Sequence, residues 1–70
     1  MNILSQNLRR IRRDLGITQE ELEARSGVPQ ANISLYETGR ISPNLANLKK
    51  LASALEVSTD DLLLEVVDAH

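Results

Sequence analysis

Between Thr18 and Gly39 this chain carries two helix starts and two helix stops in quick succession. Thr18 is followed three residues later by Glu21, the spacing of a capping box, in which hydroxyl and carboxylate each satisfy a free backbone N–H. The helix begun there ends near Arg25, and Gly27 falls in the turn that follows. Pro29 suits a first helical position, where its missing N–H costs nothing, and Gly39 suits the left-handed position just past a helix end. Two short helices therefore meet at a tight turn.

Similar punctuation divides the remaining sequence, and five helices are predicted, over residues 3–14, 18–25, 29–37, 44–55 and 59–67. In the first, Leu4, Leu8, Ile11 and Leu15 share one helix face, and Gly16 follows as a left-handed stop. In the third, Ile33, Tyr36 and Glu37 share one face while Gln30, Ala31, Ser34, Leu35 and Thr38 share the other. The fourth starts after Ser42 and Pro43, with Leu45, Leu48, Leu51, Ala52 and Leu55 as its apolar stripe. The fifth opens on a second capping box, Ser58 with Asp61, and carries Leu62, Leu63, Leu64, Val66 and Val67. β-Branched residues are scattered and Tyr36 is the only aromatic, so no strand pattern competes. Connections are short, without repeats or linkers. The expected fold is all-α, one compact five-helix domain over residues 1–70.

Seventy residues bury only a limited core, which makes pairing with a second copy a natural source of added stability. With no cysteine there is no disulfide framework or thiolate metal site. His70 is the only histidine and the last residue, so it has no partner for a catalytic dyad or metal cluster. Asp60 and Asp61 suit the N-terminus of a helix rather than a catalytic pair. There is no glycine-rich phosphate loop. An enzyme is not expected, nor a cofactor, metal or small-molecule substrate. No apolar run approaches the roughly 18 residues of a membrane span, and no signal-peptide pattern opens the chain. A cytoplasmic chain with no membrane partner is expected.

The formal net charge of −2 conceals a division. Residues 1–50 hold all eight basic residues and five acids, a balance of +3, whereas residues 51–70 hold five acids and no Lys or Arg, a balance of −5. The local field of the first part, rather than the total, decides how the chain meets a polyanion.

The outer face of the third segment is small, neutral and at Leu35 apolar, where an ordinary helix surface carries Lys and Glu. Two short helices joined at Gly27 make a helix-turn-helix, whose second helix can enter the DNA major groove. The wider pattern is more specific. LRRIRRDLGITQEEL, SGVPQANISLYETGR, SP and LKKLASALEVSTDDLL together resemble the phage repressor and Cro type (XRE family) of helix-turn-helix domain, over about residues 4–64.

That resemblance implies a double-stranded DNA partner and assigns roles. Gln30 and Ala31, then Ser34 and Leu35 one turn later, would meet base edges, with Asn32 at the flank. Gln can pair with adenine N6 and N7, Ser can donate or accept, and Ala or Leu can pack on a thymine methyl. Gln19, Thr38, Arg40 and Asn44 would contact phosphates, which position the protein without reading sequence. Arg12 would pair with Glu37 in a structural ion pair, since both lie on or near apolar faces where an unpaired charge is costly. Arg9, Arg10, Arg13, Lys49 and Lys50 are expected to be solvated. Leu62 and Leu63 match core positions of the family.

Two residues depart from the family pattern. Glu23 stands where alanine usually lets the two helices cross closely, so either the crossing widens or Glu23 turns outward to a partner. Glu56 stands where glycine often follows the fourth helix, so that turn is strained or different. Leu64, Val66 and Val67 exceed what so small a core absorbs and are expected at a homodimer interface. The function expected is transcriptional regulation, as a repressor. The alternative is an antitoxin-like or protein-interaction module of the same fold, and an exposed Leu35 beside Glu23 would suit a protein partner.

Overall fold

A computed structural model describes residues 3–64. They form α1 (Ile3–Asp14), α2 (Gln19–Ser26), α3 (Gln30–Glu37), α4 (Leu45–Ala54) and α5 (Thr59–Leu63), with no strand among the described residues. Thr18 and Ser58 each complete a capping box, with Glu21 and Asp61, as their spacing predicts. Asn44 caps α4 by accepting from the Asn47 N–H. Pro29 lies one residue earlier than expected, at the N-cap of α3, and Gln30 opens the helix.

α1 packs on α3 and α5, α2 on α3 and α4, and α4 on α5. The core between them contains Leu8, Leu22, Ile33, Leu51, Leu55 and Leu62, all almost wholly buried, with Ile17, Val28, Tyr36, Leu48 and Ala52 around them. Each fully buried aliphatic side chain contributes about 1.5–3 kcal/mol relative to exposure.

Three leucines assigned to apolar faces lie outside this core. Leu15 is 44% exposed, because α1 closes at Gly16 and the returning chain buries Ile17 in its place. The closure is a Schellman motif, with the Gly16 N–H donating to the Arg13 carbonyl and the Ile17 N–H to the Arg12 carbonyl. Leu45 is 64% exposed, since it opens α4 before the helix reaches the core at Leu48. Leu63 is 52% exposed: α5 spans five residues and turns only Leu62 inward.

α5 is also shorter than expected. It stops at Leu63, and Leu64 has extended backbone (φ −72°, ψ 132°). Asn7, buried in α1, donates from Nδ2 to the carbonyls of Leu62 at 2.9 Å and Leu64 at 2.7 Å, taking up oxygens at the helix end. Val66 and Val67, expected to extend this helix, lie outside the described residues.

Glu56 does take the left-handed conformation that glycine fills most easily, with φ 59°. The turn is again a Schellman motif, in which Glu56 donates to Ser53 and Val57 to Ala52. An unaltered turn is thus held by a residue whose Cβ opposes it.

Candidate nucleic-acid interface

The turn between α2 and α3 is short because its backbone groups are satisfied locally. Gly27 has φ 79° and donates to the Glu23 carbonyl, and the Val28 N–H donates to Ser26 Oγ at 3.0 Å. Pro29 supplies no side-chain cap for α3. Glu23 fills that role from the neighbouring helix: its Oε1 accepts from the Gln30 N–H at 3.0 Å. The residue that departs from the family pattern has turned outward and found a partner, the orphan amide at the start of α3.

The inner face of α3 is fixed at three residues. Ile33 is wholly buried. Tyr36 is buried to its hydroxyl, which accepts from Asn47 Nδ2 at 3.0 Å. Glu37 is 3% exposed and meets Arg12 in a two-pronged pair, Nε to Oε2 at 2.6 Å and Nη2 to Oε1 at 3.0 Å. Arg12 Nη1 donates onward to the Ile17 carbonyl at 2.8 Å. Donating hydrogen bonds to Glu37 raises the Arg12 pKa above its ordinary value, burial opposes that, and the charge of Glu37 adds to it. The expected ion pair is therefore present and nearly dry, tying α1 to the end of α3.

Gln19 joins the same network, with Nε2 donating to Glu37 Oε1 at 3.2 Å. An amide nitrogen carries two protons. One holds Gln19 to Glu37, and the second stays free for an acceptor outside the protein. The hydrogen bond from the Thr18 backbone N–H lowers the Glu21 pKa, and the Thr18 side chain adds to it, so the capping box favours the ionised carboxylate.

The outer face of α3 contrasts with the inner one. The side chains of Gln30, Ala31, Asn32, Ser34 and Leu35 are at least partly exposed, and none makes a side-chain hydrogen bond with the described residues. Leu35 is 36% exposed. At the far end, Gly39 and Arg40 donate to the Tyr36 and Leu35 carbonyls and close α3 as a third Schellman motif.

The residues assigned to phosphates differ in what they can still offer. Arg40 is exposed, and its guanidinium pairs with no described acid. Asn44 uses Oδ1 on the Asn47 N–H at 2.8 Å and keeps its two amide protons. Thr38 directs its single hydroxyl proton at the Ser34 and Leu35 carbonyls, at 3.1 and 3.2 Å, and must rotate to donate elsewhere. Arg10 lies 3.7 Å from Asp14 and donates to Asn7 Oδ1. Arg9 and Arg13 line a groove together with Arg12, Gln19, Glu37 and Thr38. At the end of the described residues Leu64 is 60% exposed, next to Leu63. Among the described residues no group of acids and histidines could hold a metal ion, and no helix is long and apolar enough to cross a membrane.

Sequence reasoning missed Asn7 and the capping role of Glu23. Asn7 lies between Leu4 and Leu8 on the inward face of α1, and a polar residue at a core position is itself a signal of a buried hydrogen-bonding task. Glu23 carried the signal of its departure from alanine, but not the identity of its partner.

Comparison with known proteins agrees with this geometry. Residues 8–62 match the helix-turn-helix family model. The chain is 46% identical over 61 residues to the uncharacterized HTH-type transcriptional regulator y4dJ of Sinorhizobium fredii, covering 87% of this chain and 79% of that protein. Its fold is similar to that of the P22 c2 repressor, solved in complex with a synthetic operator, with a TM-score of 0.82, 35% identity, and 90% of this chain and 96% of that one covered. It is also similar to the restriction-modification controller protein C.AhdI of Aeromonas hydrophila, with a TM-score of 0.81, 34% identity, and 84% and 89% covered. With the match running almost the whole length of the described fold, this chain belongs to the XRE-type helix-turn-helix family of DNA-binding transcriptional regulators, proteins that are not enzymes.

Proposed function

We propose that this chain binds double-stranded DNA sequence-specifically as a homodimer, laying α3 in the major groove, and represses transcription from the sites it occupies. The observation that carries this reading is the division of α3. Its inner face is locked by Ile33, Tyr36 and Glu37, while the outer side chains of Gln30, Ala31, Asn32, Ser34 and Leu35 spend no hydrogen bond on the described residues. A rigid helix presenting small neutral groups and one amide suits base edges and thymine methyls. The similarity to a repressor solved on an operator supports the same partner. Gln19, Arg40 and Asn44, with Thr38 after a rotation, flank α3 as phosphate contacts. Leu63 and Leu64, exposed at the end of the described residues, suit a two-fold interface that would set two α3 helices about 34 Å apart on one DNA face. A cytoplasmic location goes with this role.

Selection from a random duplex pool, followed by titration of the recovered duplex, tests the proposal. The expected result is a recovered half-site bound more tightly than random DNA, with Gln30→Ala weakening it by about 1–3 kcal/mol. If no duplex binds better than random DNA at low salt and Gln30→Ala changes nothing, the exposed Leu35 face is a protein-docking surface instead. Light scattering during size exclusion tests the dimer, and a monomer at high micromolar concentration would remove it.

A further inference from the structure

The arginines of α1 fall into two classes. Arg12 is consumed by Glu37 and the Ile17 carbonyl, and Arg10 by Asp14 and Asn7. The side chains of Arg9 and Arg13 are exposed and make no ion pair or hydrogen bond with the described residues. They are one turn apart on the same face, a like-charge arrangement that disfavours the free helix. Both line the groove that also contains Gln19 and Thr38. Within that groove Arg12 and Glu37 neutralise each other, so its net charge is that of Arg9 and Arg13.

The start of α2 cannot supply this charge. Glu20 and Glu21 occupy its first turn, where they oppose the attraction that a helix N-terminus otherwise offers an anion. Among Gln19, Thr38, Arg40 and Asn44 only Arg40 is a cation. A phosphate held by Gln19 therefore needs its positive charge from α1.

We propose that Arg9 and Arg13 form a phosphodiester-binding pair that grips the DNA backbone beside Gln19. This rests on the DNA-binding function proposed above. The pair extends the backbone interface from the helix-turn-helix onto the exposed face of α1. It explains how a chain of net charge −2 holds a polyanion. Its contribution carries no sequence information, because the groups contacted are common to every nucleotide.

The test is the salt dependence of duplex binding by the full chain, for the selected duplex and for a random duplex of equal length. Each phosphate neutralised contributes about 0.9 to the slope of log affinity against log salt. Arg9→Gln with Arg13→Gln is expected to lower that slope by about 1.8 per protomer, so that between roughly 50 and 200 mM salt the parent loses about tenfold more affinity per protomer than the variant, or about a hundredfold for the dimer. Both duplexes should weaken equally, leaving their ratio unchanged. Arg9→Lys with Arg13→Lys should keep the slope. Lys49→Gln with Lys50→Gln makes the same charge change on α4 and should also keep it. An unchanged slope in the Gln variant overturns the pair, as does an equal fall in the α4 variant, which would assign the effect to overall charge. A parent that binds no duplex overturns the DNA-binding function together with the pair, whereas a parent that binds beside an unaffected Gln variant overturns the pair alone. Should Arg9→Gln with Arg13→Gln fail to fold, the single substitutions carry the test, each lowering the slope by about 0.9.

Discussion

Glu23 Oε1 accepts a hydrogen bond from the Gln30 N–H at 3.0 Å, so the cap of α3 belongs to α2. Pro29 has no side chain able to do this, and its own nitrogen has no proton. Glu23 therefore fixes the first residue of the helix proposed to read DNA. The contact is solvent-exposed, so its energy is that of an ordinary cap. Glu23→Ala is expected to cost about 0.5–2 kcal/mol in urea unfolding, with Glu23→Gln costing less because its amide oxygen can still accept. Equal stability of parent and Glu23→Ala would show that the contact does not hold α3.

The Arg12–Glu37 pair carries a larger share because it is buried. Arg12→Met leaves the Glu37 carboxylate 3% exposed and facing an apolar side chain, with only the amide of Gln19 left to it. A loss of about 3–5 kcal/mol is expected, a large part of the stability of a domain this small. Arg12→Met combined with Glu37→Met removes both charges and should recover much of the loss. The sign of the pH effect follows from the raised Arg12 pKa. The stabilisation is complete below the ordinary arginine range and is lost only as pH rises through the still higher folded value. The difference in melting temperature between parent and Arg12→Met should therefore not shrink between about pH 7 and 10. A melting temperature unchanged by Arg12→Met would refute the structural role.

Most of the architecture was legible because helix signals in this chain are local. The capping boxes at Thr18 and Ser58 and the stops at Gly16, Gly27 and Gly39 need only neighbouring residues, and each appears where its spacing places it. The Arg12–Glu37 pair crosses between helices and became legible only through the family resemblance. Periodicity misled at helix ends. Leu15, Leu45 and Leu63 continue apolar stripes, yet whether the stripe still faces the core there depends on where the chain turns away. The partners themselves, the Gln30 N–H for Glu23 and the Leu62 and Leu64 carbonyls for Asn7, could not be read. These contacts join a side chain to a distant backbone group, and backbone groups leave no mark in the sequence. For the proposed interface, residue types indicated which chemistry was available. Only the geometry showed which groups were already spent, as in Thr38, and which have no side-chain partner among the described residues, as in Arg9 and Arg13.

Glu56 offers a gain rather than a loss. Its φ of 59° is a conformation in which a side chain clashes with the following carbonyl, and glycine does not. Glycine also adds entropy to the unfolded chain, which takes back part of the benefit. Glu56→Gly is expected to stabilise by about 0.5–1 kcal/mol, raising the melting temperature by a few degrees in a domain of this size. Glu56→Ala keeps the Cβ and should give no such gain. A melting temperature lowered by Glu56→Gly would mean that the Glu56 side chain makes a contribution exceeding the strain.

Asn7 joins the two ends of the described fold. Its amide donates to the carbonyls of Leu62 and Leu64, which lie 55 and 57 residues further along the chain. Asn7→Leu keeps comparable bulk but leaves the Leu62 carbonyl without its buried donor, at an expected cost of about 1–3 kcal/mol. The damage should be local, since α5 meets the rest of the molecule mainly through Leu62 and this amide. Hydrogen exchange should quicken in α5 before α2 or α3. If Leu63 and Leu64 form the proposed dimer interface, the same substitution weakens self-association by loosening the segment that presents them, and light scattering would show more monomer at equal concentration. Exchange that quickens uniformly would place Asn7 in the global core, and an unchanged dimer fraction beside a loosened α5 would place the interface elsewhere.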